Sequence, residues 1–326
     1  MKRIGYLNTL RLLATLSVVL LHSSATYFDN GIFSENDCFA LGFYKVVNVF
    51  AVPVFVLISG ALFLHPDRNT TYRVLFNKYV RRIVLALVVF GLPMCIVESV
   101  FAKENIEVSF VNFVTGHSWT HMWYLYMLIG LYLLTPLLKE FVLHTSRQTM
   151  LISFCTLFVM CSILPTMEHF GIPLKSWMMI LNNPYLLLYM LGFYLVYIED
   201  GTLKKWHLLL VLFACVLIIA FKLSMGVDYN LYYDPVSLTM SIAIFLLFKR
   251  LDYRWTVADK LNPYCFGIYL VHPVFLNLLA KVIHFNPADY VTPWISIPLL
   301  CIFVFLLSLM SCYVLRKIPF LKSYVL

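Results

Sequence analysis

Arg11 and His22 stand in an otherwise apolar run near the start of the chain, eleven residues apart. On an α-helix that spacing is about 1100° of rotation, which brings both side chains within about 20° of one face and about 16 Å apart along the axis. An ionisable group at membrane depth is unfavourable and ordinarily faces a cavity or a partner. The guanidinium keeps its charge, whereas an imidazole changes protonation state near neutral pH. Two such groups at different depths of one face mark a path across an apolar layer, which suits chemistry between compartments. The spacing equally allows two interfacial anchors, with Arg11 snorkelling to one headgroup layer and His22 to the other.

Other polar residues deserve the same two readings. Glu98 lies at the far end of the third apolar block, at a depth like that of His22, where it could orient the imidazole or simply sit at the interface. His121, Trp123 and Tyr124 open the fourth block, where aromatic residues belong to an interfacial belt but could also stack on a sugar. Ser59 and Gly60 read as a close helix-packing point, since no activating base accompanies Ser59. His272, before Pro273, fits either a cavity wall or a packed, hydrogen-bonded core position. The eight cysteines form no CxxC pair and have no His ligand spacing, so neither a disulfide framework nor a metal is expected.

The elements that must position these residues follow from composition. Of 326 residues 62% are hydrophobic and 12% charged, about half the charged share of a soluble domain. The apolar residues fall in blocks of about 17 to 25, long enough to cross a hydrocarbon core. The pattern predicts an all-α, polytopic transmembrane helical bundle forming one domain over residues 1–326, with about ten spans near 5–27, 43–64, 80–101, 121–138, 149–167, 177–198, 206–225, 235–250, 262–284 and 292–315. Eighteen lysines and arginines fall on the loops that share a side with both tails, five on the opposite loops, and Arg11 within the first span completes the 24. Cytoplasmic loops carry the excess, so both termini are expected inside. Lys2, Arg3 and the apolar run after them resemble a cleavable signal, but Arg11 and His22 within that run argue for a retained span. The net charge of +8 is spread in small groups between spans, unlike a nucleic-acid patch. Pro53, Pro93, Pro136, Pro184 and Pro273 fall in or near spans, where a missing backbone donor can kink a helix.

The segment TLRLLATLSVVLLHSS, with a basic residue, ten others and then His, resembles the first helix of the acyltransferase-3 family of integral membrane acyltransferases. VPVFVLISGALF (Val52 to Phe63) resembles the family's second helix and NKYVRRI (Asn77 to Ile83) the basic start of its third. HMWYLYMLIGLYLLTP (His121 to Pro136) and GIYLVHPVF (Gly267 to Phe275) resemble the fourth and the penultimate helices. The family's R-x-x-R pair appears here as Lys78 and Arg81, with Arg82 adjacent, and lysine lacks the bidentate fork. The resemblance extends from the first span almost to the last, and is nearest to short members without an appended soluble domain.

That resemblance implies a membrane O-acyltransferase, most simply an O-acetyltransferase, in the bacterial cytoplasmic (inner) membrane. It would move an acyl group from cytoplasmic acetyl-CoA to a hydroxyl of an extracytoplasmic glycan or glycolipid, with no metal and no nucleic acid involved. Lys78, Arg81 and Arg82, near Arg68 and Arg73, would bind the phosphates of CoA, unless they serve topology alone. Arg11 would hold the donor and His22 would take the proton of the acceptor hydroxyl. Glu98, His121, Trp123 and Tyr124 are the acceptor-side candidates. An exporter or flippase of a lipid-linked polysaccharide would also need a polar path through a bundle, but would predict broken helices in two corresponding halves, and that symmetry is not visible. A binding subunit without chemistry is the third possibility.

Overall fold

The computed structural model describes residues 4–28, 34–102, 106–116, 121–172, 183–226 and 232–325, and among them the regular elements are helices. The longer ones are α1 (Gly5–Phe28), α2 (Glu35–Val47), α3 (Ala51–Phe63), α4 (72–102), α5 (Ile106–Val114), α6 (Trp123–His144) and α7 (Arg147–His169). They continue as α8 (Tyr185–Tyr197), α9 (Lys205–Ser224), α10 (Pro235–Leu251), α11 (Thr256–Val282) and α12 (Pro293–Leu315), and a short α13 (Pro319–Tyr324) follows. Each of the ten expected spans is occupied by helix. Eight apolar stretches among the described residues are long enough to cross a membrane, whereas α8 and α10 have 13 and 17 residues.

Two expectations need correction. The second span is not one helix over 43–64: it begins at Glu35 and breaks at residues 48–50 before α3. Asn48 sits at the break, and its side-chain amide donates to the Tyr44 carbonyl at 2.8 Å, supplying a partner that the interrupted helix would otherwise lack. The stretch after the third span also contains α5, which the block pattern treats as connection.

Wide π turns occupy 87–91 in α4 and 159–163 in α7, each just before a proline, Pro93 and Pro165. Proline offers no amide hydrogen to the carbonyl one turn earlier, and a widened turn is a common way to accommodate that loss.

Burial divides the helices by role. Helix α8 is buried along most of its length, from Tyr185 to Leu195, and crosses α3 at backbone contact. A Cβ on Gly60 would stand 1.7 Å from the Tyr189 carbonyl oxygen, and one on Gly192 would stand 2.0 Å from that of Leu57. Small residues are what let membrane helices approach this closely. Helix α9 instead buries only Leu208, Cys215 and Ile219, a single stripe at helical spacing, and turns the rest outward.

Helices α1 and α11 run side by side in the same direction. Asn8 donates to Asp259 at 2.6 Å, Arg11 to Asn262 at 2.7 Å, and His22 meets His272 at 3.1 Å, with sequence separations of 251, 251 and 250. A nearly constant offset is possible only for parallel helices whose register is kept over the whole depth of the bundle.

Candidate active site

Helix α1 is unbroken from Gly5 to Phe28, so Arg11 and His22 do share a face at two depths, and both face α11 rather than lipid. Arg11 enters a cavity of about 550 Å³. Arg11, Arg68, Arg82, Arg316 and Lys322 all line it, and no described carboxylate does. Its other walls include Ser59, Phe63, Tyr79, Tyr124, Tyr132, Cys265 and Tyr269.

Arg68 shows what this cavity favours. Its Nη2 donates to the Tyr79 hydroxyl at 2.9 Å and its guanidinium lies 4.2 Å from the Phe63 ring centre. Its Nε is buried without a hydrogen-bond partner. A buried donor left unmade is unfavourable by roughly 1–3 kcal/mol, so an anionic ligand that reached Nε would be stabilised there.

Beyond the cavity, His22, His121 and His272 cluster. Ring centres lie 5.1 Å apart for His22 and His272, 5.5 Å for His121 and His272, and 6.1 Å for His22 and His121. Tyr269 joins the two regions. It lines the cavity, its ring packs 5.3 Å from that of His121, and its hydroxyl donates to the His121 carbonyl. Three imidazoles together invite the thought of a metal, but among the described residues no group of three His, Cys, Asp or Glu side chains is arranged to hold one.

The hydrogen bonds determine which nitrogen of His22 is basic. His272 Nδ1 lies 3.0 Å from the Ile268 carbonyl, which can only accept, so Nδ1 carries that proton and Nε2 keeps its lone pair. His22 Nδ1 lies 3.1 Å from His272 Nε2 and 3.0 Å from the Val18 carbonyl, two acceptors, so it carries a proton as well. Nε2 of His22 is therefore left with a free lone pair. A fixed neutral tautomer of this kind is what a general base requires.

The remaining sequence candidates are placed unevenly. Tyr124 lines the cavity and packs 5.7 Å from Tyr269. Trp123 points elsewhere, into an aromatic group with Tyr185 and Tyr232 at 5.5 and 5.2 Å. Of the basic cluster only Arg82 reaches the cavity. Lys78 and Arg81 are exposed on other faces, Lys78 beside Tyr79 and Arg81 over Tyr324 at 4.6 Å. Glu98 lies in helix α4, and its side chain falls outside the described residues. Ser59 donates back to the Phe55 carbonyl at 2.8 Å and is not set up as a nucleophile, while Gly60 is the packing point just described.

Sequence reasoning gave no role to Asn262, Tyr269, Arg316 or Lys322, and left that of His272 open. The signal for His272 was present in its setting, an imidazole with 0% exposure inside an apolar helix, but its partner is 250 residues away.

A basic cavity and an oriented imidazole within a helical membrane bundle are parts that suit the transfer of an activated group. The chain matches the family model described as an acyltransferase domain over residues 4–313. It belongs to the acyltransferase-3 family and is a multi-pass membrane acyltransferase. Searches of curated proteins and of solved structures found no match.

Proposed function

We propose that the protein is an O-acetyltransferase of the bacterial cytoplasmic membrane, with both termini in the cytoplasm, and that it acetylates a hydroxyl of a glycan or glycolipid on the outer face. The observation that carries this reading is the cavity, which holds five cations and no described carboxylate and extends from Arg82, Arg316 and Lys322 to Tyr124 and Tyr269, next to the imidazoles. Acetyl-CoA is polyanionic at its nucleotide end and thin along its pantetheine arm. The cations suit the phosphates, and about 16 Å of helix between Arg11 and His22 is comparable to the length of the arm. Lys78 and Arg81 contribute to the positive field at the approach.

In the reaction, His22 Nε2 takes the proton of the acceptor hydroxyl as its oxygen attacks the thioester carbonyl carbon. A C–O ester bond forms, the C–S bond breaks, and the proton returns to the departing CoA thiolate. His272 accepts from Nδ1 throughout, which holds the ring in place and shares the charge of the imidazolium. Arg11, fixed by Asn262, steadies the donor, and the acyl group passes Tyr124 and Tyr269 to reach the imidazole. The acceptor approaches from the opposite side, where His121 belongs to the same cluster.

The decisive experiment is mass spectrometry of surface glycans from cells with the protein, without it, and with His22→Ala. The expected result is a difference of one acetyl group between the first two, lost in the variant while its membrane level is unchanged. Full acetylation in the variant overturns the mechanism. Movement of glycolipid across vesicles by the purified protein with no acyl donor would favour an exporter instead.

A further inference from the structure

The family match stops at residue 313, yet the cavity is completed by residues beyond it. Arg316, Lys322 and Ser323 all line the cavity. After α12 the chain turns back beneath the bundle. Arg316 donates to the Pro263 carbonyl at 2.8 Å and lies 5.2 Å from the Tyr264 ring centre, at the start of the helix that carries His272. Helix α13 then places Leu321 and Val325 in buried positions, at 9% and 0% exposure. The Val325 carbonyl accepts from Arg82 Nε at 3.1 Å, and the Tyr324 ring lies under Arg81. This tail is anchored in the cavity mouth by two apolar side chains and by main-chain contacts, with its lysine facing the cavity.

We infer that residues 316–323 are part of the acyl-donor site, and that Arg316 and Lys322 bind the phosphates of the nucleotide end of acyl-CoA. The inference rests on the donor reading above and extends it to a segment outside the family domain. Two of the five cavity cations come from this segment. Anchoring matters because a cation held in place by packing loses less freedom on binding than one on a free tail. The Ser323 hydroxyl adds a neutral donor at the same end. Arg11 and Arg68 remain for the inner part of the ligand, so the tail discriminates by the nucleotide and not by the acyl group.

The test is equilibrium binding of coenzyme A and of adenosine 3′,5′-bisphosphate, its isolated anionic end, to the full chain in nanodiscs. Removing two charge-assisted contacts in Arg316→Gln/Lys322→Gln is expected to weaken both ligands by the same factor, at least about tenfold, and to flatten the salt dependence. Lys322→Gln alone removes an exposed side chain with little risk to folding, and is expected to weaken both ligands severalfold, with Lys322→Arg restoring them. Unchanged affinity for coenzyme A in the variants overturns the role of the tail while leaving the donor reading intact. Weakening of coenzyme A without weakening of the bisphosphate also overturns it, because the tail would then act on the arm. A wild-type protein with no affinity for coenzyme A would instead remove the donor reading itself.

Discussion

His22 and His272 share one task, since the first exchanges the proton and the second fixes which nitrogen does so. No described carboxylate performs the orienting role, and an imidazole whose own Nδ1 proton is committed to a carbonyl is an adequate acceptor. His272→Ala should therefore lower kcat by about 10²-fold or more with little change in KM for acetyl-CoA. His272→Gln should keep much more of the rate, because its side-chain carbonyl can accept from Nδ1. Steady-state kinetics on the two variants decides the matter, and full turnover by the alanine variant would leave His272 as packing only. Sequence makes Arg11 and His22 legible because their relation is local, fixed by 3.6 residues per turn. The meeting of His22 with His272, like that of Arg11 with Asn262, depends on how two distant helices lie together, and no local pattern encodes it. The same limit explains why Lys78 and Arg81 drew attention while Arg316 and Lys322 did not. Charge density along a chain identifies a basic loop, but only the turn of each helix decides which side chains face inward.

Helices α3 and α8 form the tightest joint in the bundle, and its tolerance for change is small. Gly60→Ala would drive a Cβ into the Tyr189 carbonyl, a backbone atom that cannot swing aside. Overpacking of this kind is destabilising by roughly 1–3 kcal/mol or more, and should appear as a lower Tm in detergent and a lower membrane level. Gly130→Ala in α6 meets nothing within 4 Å and should match wild type, so equal behaviour of the two variants would refute the joint. A second tie joins the end of α8 to α10. Glu199 pairs with Lys249 at 3.0 Å and with Arg250, and Lys249 also donates to the Leu195 carbonyl at 2.5 Å. Burial pushes the Glu199 carboxyl up, but hydrogen bonds from Lys249, Arg250 and the Gly201 amide outweigh it and hold the group below its ordinary value. Its contribution is present above the unfolded value of about 4.3 and is lost as pH falls through the lower folded value. Glu199→Gln should reduce Tm at pH 7 and lessen its further fall between pH 5 and pH 3, and an identical acid slope in wild type and variant would remove this role. At this scale the span pattern was legible from apolar block length. The break at Asn48 was not, because a single amide side chain repairs it without interrupting the hydrophobic run.

For the molecule as a whole, the parallel register of α1 and α11 is what connects the two faces. It aligns Arg11 with Asn262 at one depth and His22 with His272 at another, so donor and acceptor can be handled at different levels of one protein. If the loops rich in lysine and arginine lie in the cytoplasm, Arg82, Arg316 and Lys322 face acetyl-CoA and the imidazoles face the outside. The reaction must then be sided. In sealed vesicles of native orientation carrying the acceptor outside, acetyl-CoA trapped inside should support acetylation, with free CoA accumulating inside and ester outside. Acetyl-CoA supplied only outside should not, because the cavity mouth is not on that face. Inverted vesicles should reverse both results. Radiolabelled acetyl-CoA and separation of the vesicles from the medium measure each product directly. Equal acetylation with the donor on either side of intact vesicles would mean that the thioester does not enter through the basic mouth, and the path from Arg11 to His22 would lose its purpose.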